Sequence, residues 1–356
     1  MKKIILIAGL TTTMVAQAAT TVTHYGFVKA SYLMTSTDFD KNWKPGSVSD
    51  EDGKTDLEKE GKSQISSTNS RWGMNMSNGS KTTGKFEFDL DANEGAGAQA
   101  LSVARVRQAN LSYKASEQGT ITFGKKWTKF MGVNPNTYRF TTVALGAGNT
   151  GFIVDGVDYT HSFGDTSVSI ELASTGTADV NDVSGPTKTI LVSHVMGDHN
   201  FGLAYTFADL KYKTTDDTKK DGKASGTKLF WNGKFGATSA NLEYTMGSNL
   251  GAIHTGGRAN SGNDDDFKDT SYIVSVKHAF NDMSVFATYG SSKYNDEDEA
   301  TAIASNSITS IGFDTTLDAG LTAFIEHSTI TTGNVVSGDV EDSAGSLTEI
   351  GMVYKF

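Results

Sequence analysis

Four charged side chains stand at every second position in the stretch Lys85-Phe86-Glu87-Phe88-Asp89-Leu90-Asp91. A strand sends successive side chains to opposite faces, so the charges share one face and the apolar residues the other. Few soluble cores tolerate such a row. A wall with oil on one side and water on the other does, and fixed charges on its wet side act on passing ions. Other candidate chemistry fails on spacing. His161-Ser162, Ser193-His194 and His327-Ser328 set serine beside histidine, but strand neighbours point to opposite faces and form no nucleophile–base pair. His24, His199, His254 and His278 show no metal-ligand spacing. The stretch 146–151 matches a dinucleotide-binding glycine pattern by letter, yet it precedes a strand instead of joining a strand to a helix. The acidic runs 264–266 and 296–299 read as solvated loops and match no calcium loop. We expect no catalytic site, no metal site and no cofactor, and therefore no enzyme.

The elements that must position these charges recur about every twenty residues, as strand, turn, strand and loop. A first strand occupies 21–34. Trp72, Met74 and Met76 then alternate with Arg71, Gly73 and Asn75 ahead of Asn78-Gly79, a hairpin turn in which both residues accept positive φ. Further strands carry Ala109, Leu111 and Tyr113, then Ile121 and Phe123. The remainder fall at 153–163, 167–175, 189–196, 201–212, 228–235, 239–246, 271–280, 284–294, 307–317, 321–331 and 346–356. Short turns such as Gly197-Asp198 and Asn281-Asp282 alternate with longer polar loops, and Pro45, Pro135 and Pro186 all fall in those loops. The pattern predicts an all-β protein: an antiparallel transmembrane barrel of sixteen strands, with short periplasmic turns, long external loops and a lumen wide enough for water. In the last strand Ile350, Met352, Tyr354 and Phe356 share one face, and Glu349, Gly351 and Lys355 the other. This strand should pair with the first, because hydrocarbon permits no open edge.

Composition agrees. Met1-Lys2-Lys3, a short apolar run and Ala16-Gln17-Ala18 form a secretory leader over 1–18, leaving 19–356 as one barrel domain. Loss of Lys2 and Lys3 takes the formal charge from −10 to −12, which disfavours nucleic acid as a partner. Cysteine is absent, so neither disulfides nor thiolate chemistry is expected. A hydrophobic fraction of 37% suits a wall that is apolar on one face only.

On this alternation the wet face carries Lys29, Arg71, Lys85, Lys114, Lys126, Lys228, Lys234, Lys277 and Lys355. Against them stand Glu87, Asp89, Asp91, Asp158, Glu171, Glu243, Asp314, Glu326 and Glu349, so the two signs balance. Arg105 and Arg107 share parity with Ala109 and Leu111, which would turn them outward. Three placements stay open for them: above the hydrocarbon, at a subunit interface, or beyond a bulge.

With these features in place, the mature chain resembles the trimeric general porins of Gram-negative outer membranes. Tyr25-Gly26-Phe27-Val28-Lys29-Ala30, Ser70-Arg71-Trp72-Gly73-Met74 and Gly119-Thr120-Ile121-Thr122-Phe123-Gly124-Lys125 resemble that family's first, second and fifth strands. Met352-Val353-Tyr354-Lys355-Phe356 resembles its assembly signal, which gives Phe356 and Tyr354 that role. The resemblance implies a homotrimer in outer-membrane lipid and lipopolysaccharide that passes small hydrophilic solutes and ions. It also implies that 127–150 is a third external loop folded into the lumen, facing Lys29 and Arg71. That loop departs from the enteric pattern. It lacks the usual acidic motif and carries Lys129 and Arg139 instead. Arg105, Arg107 and the stretch Trp127-Thr128-Lys129-Phe130 resemble substrate-selective porins for anionic solutes. The expected function is a diffusion channel with a basic constriction; the alternative is a barrel serving as adhesin, phage receptor or structural anchor.

Overall fold

A computed structural model of the chain describes residues 20–36, 63–67, 70–91, 103–138, 153–174, 182–183, 185–213, 219–253, 268–295, 303–336 and 339–356. The leader at 1–18 lies outside them. Among the described residues there are eighteen strand segments. The first nine are β1 (Thr21–Thr35), β2 (Ser63–Ser66), β3 (Arg71–Ser77), β4 (Thr82–Asp91), β5 (Val103–Lys114), β6 (Gly119–Trp127), β7 (Ile153–Phe163), β8 (Thr166–Ala173) and β9 (Asp182–Val183). The rest are β10 (Thr187–Met196), β11 (His199–Lys213), β12 (Lys219–Phe235), β13 (Thr238–Ser248), β14 (Lys268–Phe280), β15 (Met283–Asn295), β16 (Ile303–Asp318), β17 (Leu321–Val336) and β18 (Asp339–Lys355).

Every pairing is antiparallel, and β18 closes on β1 from Phe27↔Lys355 to Thr35↔Leu347. Two positions in the wall are filled by two segments each. β1 pairs with β3 over Thr21–Phe27 and with β2 over Ser31–Met34. β9 and β10 both lie along β11. Eighteen segments therefore fill sixteen positions, the number expected. Where β2 gives way to β3, Ser70 repairs the ladder: its Oγ accepts the Lys29 N–H at 3.0 Å, satisfying a backbone donor that the break would orphan.

The short turns need left-handed backbone. Gly197 (φ 59°) and Asn281 (φ 53°) supply it, as expected of the two residue types that adopt it most readily. Alternation sorts the faces as β14 illustrates: Asp269, Ser271 and Ser275 are buried toward the lumen, whereas Tyr272, Val274 and Val276 are exposed on the outside. This inverts the order of a soluble protein, as lipid requires. Among the described residues, no helix is long and apolar enough to cross a membrane.

Candidate channel constriction

The segment 128–138 leaves β6 without regular structure and runs along the inner wall. A backbone outside the ladder must satisfy its N–H groups some other way, and here inward carboxylates and hydroxyls of the barrel do so. Glu171 on β8 accepts the Thr128 hydroxyl at 2.7 Å and the Lys129 N–H at 3.1 Å. Glu243 on β13 accepts the Val133 N–H at 2.9 Å. Ser275 on β14 accepts the Asn136 N–H at 2.8 Å, and Thr288 on β15 donates to the Asn136 carbonyl at 3.0 Å. Glu326 on β17 accepts the Tyr138 N–H at 2.6 Å together with the Thr137 hydroxyl. The Lys29 Nζ donates to the Tyr138 carbonyl at 2.9 Å.

Side chains seat the same segment. Gly132 passes so close to Glu243 that a Cβ there would collide with the carboxylate. Phe130 is fully buried against Leu250 and Ile253, over the small inward residues Ala204, Ala208 and Ala224. Tyr138 stacks on Phe324 with centroids 4.0 Å apart and donates its hydroxyl to Asp314 at 3.2 Å. Burial and then the Asp314 charge push its phenol above the ordinary range, so it stays a neutral donor.

The wall left uncovered by these contacts includes β3 to β5, and it carries the arginines. The β4–β5 register runs Glu87↔Gln108 and then Phe88↔Val106, so Arg107 is the extra residue of a β-bulge. The bulge resets the parity. Val106 points outward, while Arg105 and Arg107 turn into the lumen. Simple alternation would have sent both outward; of the three placements left open by the sequence, the bulge is the one realised. Arg105 grips Asp89 through Nε at 3.2 Å and Nη2 at 3.0 Å. Arg107 bridges Glu87 at 3.1 Å and Asp89 at 2.8 Å. Arg71 stands 3.7 Å from Glu87, Tyr25 donates to Glu87 at 2.9 Å, and Lys85 lies over the Tyr25 ring. Side-chain exposure is uneven across the cluster: 40% for Arg105 and 27% for Arg71, against 2% for Arg107, 3% for Glu87 and 1% for Asp89.

Among the described side chains the other expected lumen residues also face inward, but most are engaged with one another. Lys126 pairs with Asp158 at 2.9 Å and with Glu171. Lys129, from the inward segment, reaches Asp158 at 3.2 Å. Lys29 is buried and paired with Glu349 at 2.8 Å, so its charge is held in the wall. Lys228 pairs with Glu243, and Lys277 with Asp314. Arg139, the Asp91 side chain, the glycine pattern at 146–151 and both acidic runs lie outside the described residues and side chains. At the chain end, Phe356 and Gly26 exchange backbone hydrogen bonds at 3.1 and 3.2 Å, and Phe356 and Tyr354 are exposed on the outer face.

The serine–histidine neighbours split between faces. His161, His194 and His327 point outward, bonded to Tyr159, Thr166 and Thr348. Ser193 and Ser328 point inward, bonded to Ser167 and Ser310. Sequence reasoning left the bulge undecided among three placements and missed the use of Glu171, Glu243 and Glu326 as acceptors for a distant backbone. The one available signal for the second was the inward segment itself, which lacks period and acid yet needs acceptors.

Comparison with known proteins agrees with this geometry. A family model described as Gram-negative porin matches residues 5–356. No curated protein sequence matches the chain. Among solved structures, the outer membrane channel DcaP of Acinetobacter baumannii is similar, with a TM-score of 0.74 at 17% identity, over 95% of this chain and 98% of that one. The anion-selective porin from Comamonas acidovorans gives 0.61 at 12% identity, over 95% and 100%. The trimer form of OmpT, an outer membrane protein of Vibrio cholerae, gives 0.59 at 17%, over 95% and 100%.

Proposed function

Because this chain belongs to the Gram-negative porin family and forms an outer-membrane channel for passive diffusion, we propose that its constriction favours anions. Family and fold point to a channel rather than an enzyme. The observation that carries the anion reading is the inequality of exposure across one ion-paired cluster. Arg71 and Arg105 present guanidinium to the lumen, while Glu87 and Asp89 lie behind them. The cluster of Arg71, Arg105, Arg107, Glu87 and Asp89 also carries one net positive charge.

The inward segment supports the same reading. Residues 128–138 contain no Asp or Glu and contribute Lys129, and the wall glutamates beneath them are engaged with backbone N–H groups. An anion passing the cluster therefore meets exposed cations first. Guanidinium forks match carboxylates two bonds at a time, so small carboxylates, dicarboxylates among them, are the favoured organic solutes.

A salt gradient across planar bilayers tests this. The zero-current potential should carry the sign of chloride preference, and a potassium-selective sign would overturn the anion reading while leaving the channel intact. The same proposal takes 1–18 as a removable export leader and Phe356 with Tyr354 as the assembly signal. It takes a homotrimer as the working form, supported by the trimer form among the similar structures, with lipid and lipopolysaccharide around the exposed apolar face.

A further inference from the structure

One row of the inner wall carries no charge. Across the ladder from β11 to β16 the paired residues are Asn200, Asn232, Asn241, Ser275, Thr288 and Ser310. Strands tilt in a barrel, so a row that crosses them climbs the wall. Asn200 lies two residues from the short turn at Asp198, and Ser310 lies eight from the one at Asp318. Short turns are periplasmic in this architecture, so the row rises from the periplasmic mouth to the inward segment.

The upper half of the row shows what it recognises. Ser275 accepts the Asn136 N–H at 2.8 Å, and Thr288 donates to the carbonyl of the same residue at 3.0 Å. An uncharged partner offering both a donor and an acceptor is thereby held at two points. The lower half keeps that chemistry and lies open. Asn200, Asn232 and Asn241 are half-buried, and each carboxamide presents a donor and an acceptor side by side. With Ser239 and Val195 they line a cleft of about 430 Å³, within the range of small-ligand sites. Asn241 joins the cleft to the inward segment, its Nδ2 donating to the Asn134 carbonyl at 3.0 Å. Asn200 Oδ1 accepts no hydrogen bond among the described residues, so the wall does not lock that amide and it can turn toward a solute. The nearest carboxylate above, Glu243, is engaged with the Val133 N–H and Lys228. Lys234 and Asp198 stand below, at the mouth.

We propose that this row is a binding track for uncharged polyhydroxyl solutes of the sugar class, with vicinal hydroxyls paired to the Asn200 and Asn232 amides. In each pair one hydroxyl donates to the amide oxygen and its neighbour accepts from the amide nitrogen. The spacing suits this class. Neighbouring strands lie about 4.8 Å apart, close to the length of one hexopyranose unit. An extended peptide fits less well, because its groups on one side recur about every 6.6 Å, two residues apart. The track lies on β11 to β13, whereas the arginine cluster lies on β3 to β5. The inference therefore goes beyond the anion reading and does not depend on it.

Maltose titrated onto open channels in planar bilayers, at fixed salt, tests the track. Hexaethylene glycol is the reference, an uncharged chain with hydroxyls only at its two ends, which reports volume and viscosity alone. Maltose should lower the ion current saturably and add excess noise, whereas hexaethylene glycol should lower it in simple proportion to concentration. N200L/N232L should raise the half-saturating maltose concentration about tenfold, the loss of two hydrogen bonds of ordinary net strength. N200A/N232A is the second variant should leucine disturb assembly, and it should act alike. Asn75→Leu, on β3 opposite Lys85, changes a wall amide outside the row and should leave that concentration unchanged. A maltose response of the same form as the hexaethylene glycol response overturns the track. So does a half-saturating concentration unmoved by the double variants, or moved equally by Asn75→Leu. No arm reads the sign of the zero-current potential, so the anion reading stands or falls separately.

Discussion

Arg105 is the residue on which the selectivity argument can be made quantitative. It lies in the lumen at 40% side-chain exposure, joined to Asp89. Arg105→Gln removes one positive charge and leaves Asp89 with its Arg107 partner at 2.8 Å. Because the buried Asp89 keeps its Arg107 partner and glutamine can still donate a hydrogen bond to it, the barrel should fold normally. An ion passing roughly 6 Å from a unit charge in water-like surroundings feels about 0.7 kcal/mol. That is about threefold in partitioning, in one direction for anions and in the other for cations. The anion-to-cation permeability ratio should therefore fall about tenfold at or below 0.1 M salt, and much less at 1 M, where screening acts within about 3 Å. Zero-current potentials at fixed salt gradients, taken at both ionic strengths, measure it. Lys188→Gln, on the outer face beside Phe207, is the control and should change nothing. An unaltered ratio in Arg105→Gln at low salt, or an equal change in the control, would refute the assignment of Arg105 to the ion path.

Two further perturbations probe the frame around that path. Glu326→Ala removes the acceptor of the Tyr138 N–H and the Thr137 hydroxyl; each stranded donor costs about 1–3 kcal/mol, so the inward segment should loosen, and single-channel records should show higher conductance with added noise. An unchanged trace would show that the other anchors suffice. Deleting Phe356 removes the paired hydrogen bonds to Gly26 and should lower the yield of heat-modifiable, folded barrel on gels while the assembled fraction conducts normally. Normal yield with altered conductance would contradict its assembly role.

The strands were legible because a membrane barrel leaves an unmistakable trace. Val274, Val276 and Tyr272 must face lipid and Ser271 and Ser275 must not, so period two survives in the sequence wherever the wall is regular. Closure was legible for the related reason that an unpaired Ile350–Phe356 edge is forbidden in hydrocarbon. The inward segment resisted because its partners are remote: Tyr138 is 188 residues from the Glu326 that holds it, and no local pattern encodes that distance. Arg105 and Arg107 resisted because a single inserted residue reverses every parity beyond it, and a bulge has no signature in alternation except its failure.

These two irregular places are also where the proposed selectivity would be set, and the reason is physical. Alternation assigns a residue to a face but says nothing of its depth. Asp89 and Arg105 share the lumen face and one ion pair, yet one is 1% exposed and the other 40%. Counting charges by face therefore returns a balanced wall. What an ion meets is the outermost layer of each cluster, and that layer is fixed by a bulge that lifts guanidinium over carboxylate and by a backbone segment that occupies the remaining glutamates. A regular barrel with the same composition would present both signs equally to the water. The preference proposed here arises from the departures from regularity: deleting residue 107 would leave Phe88↔Val106 and Asp89↔Arg105 paired in an unbroken β4–β5 ladder with Arg105 still inward, but it would remove the guanidinium that gives the cluster its net positive charge, so the preference should weaken.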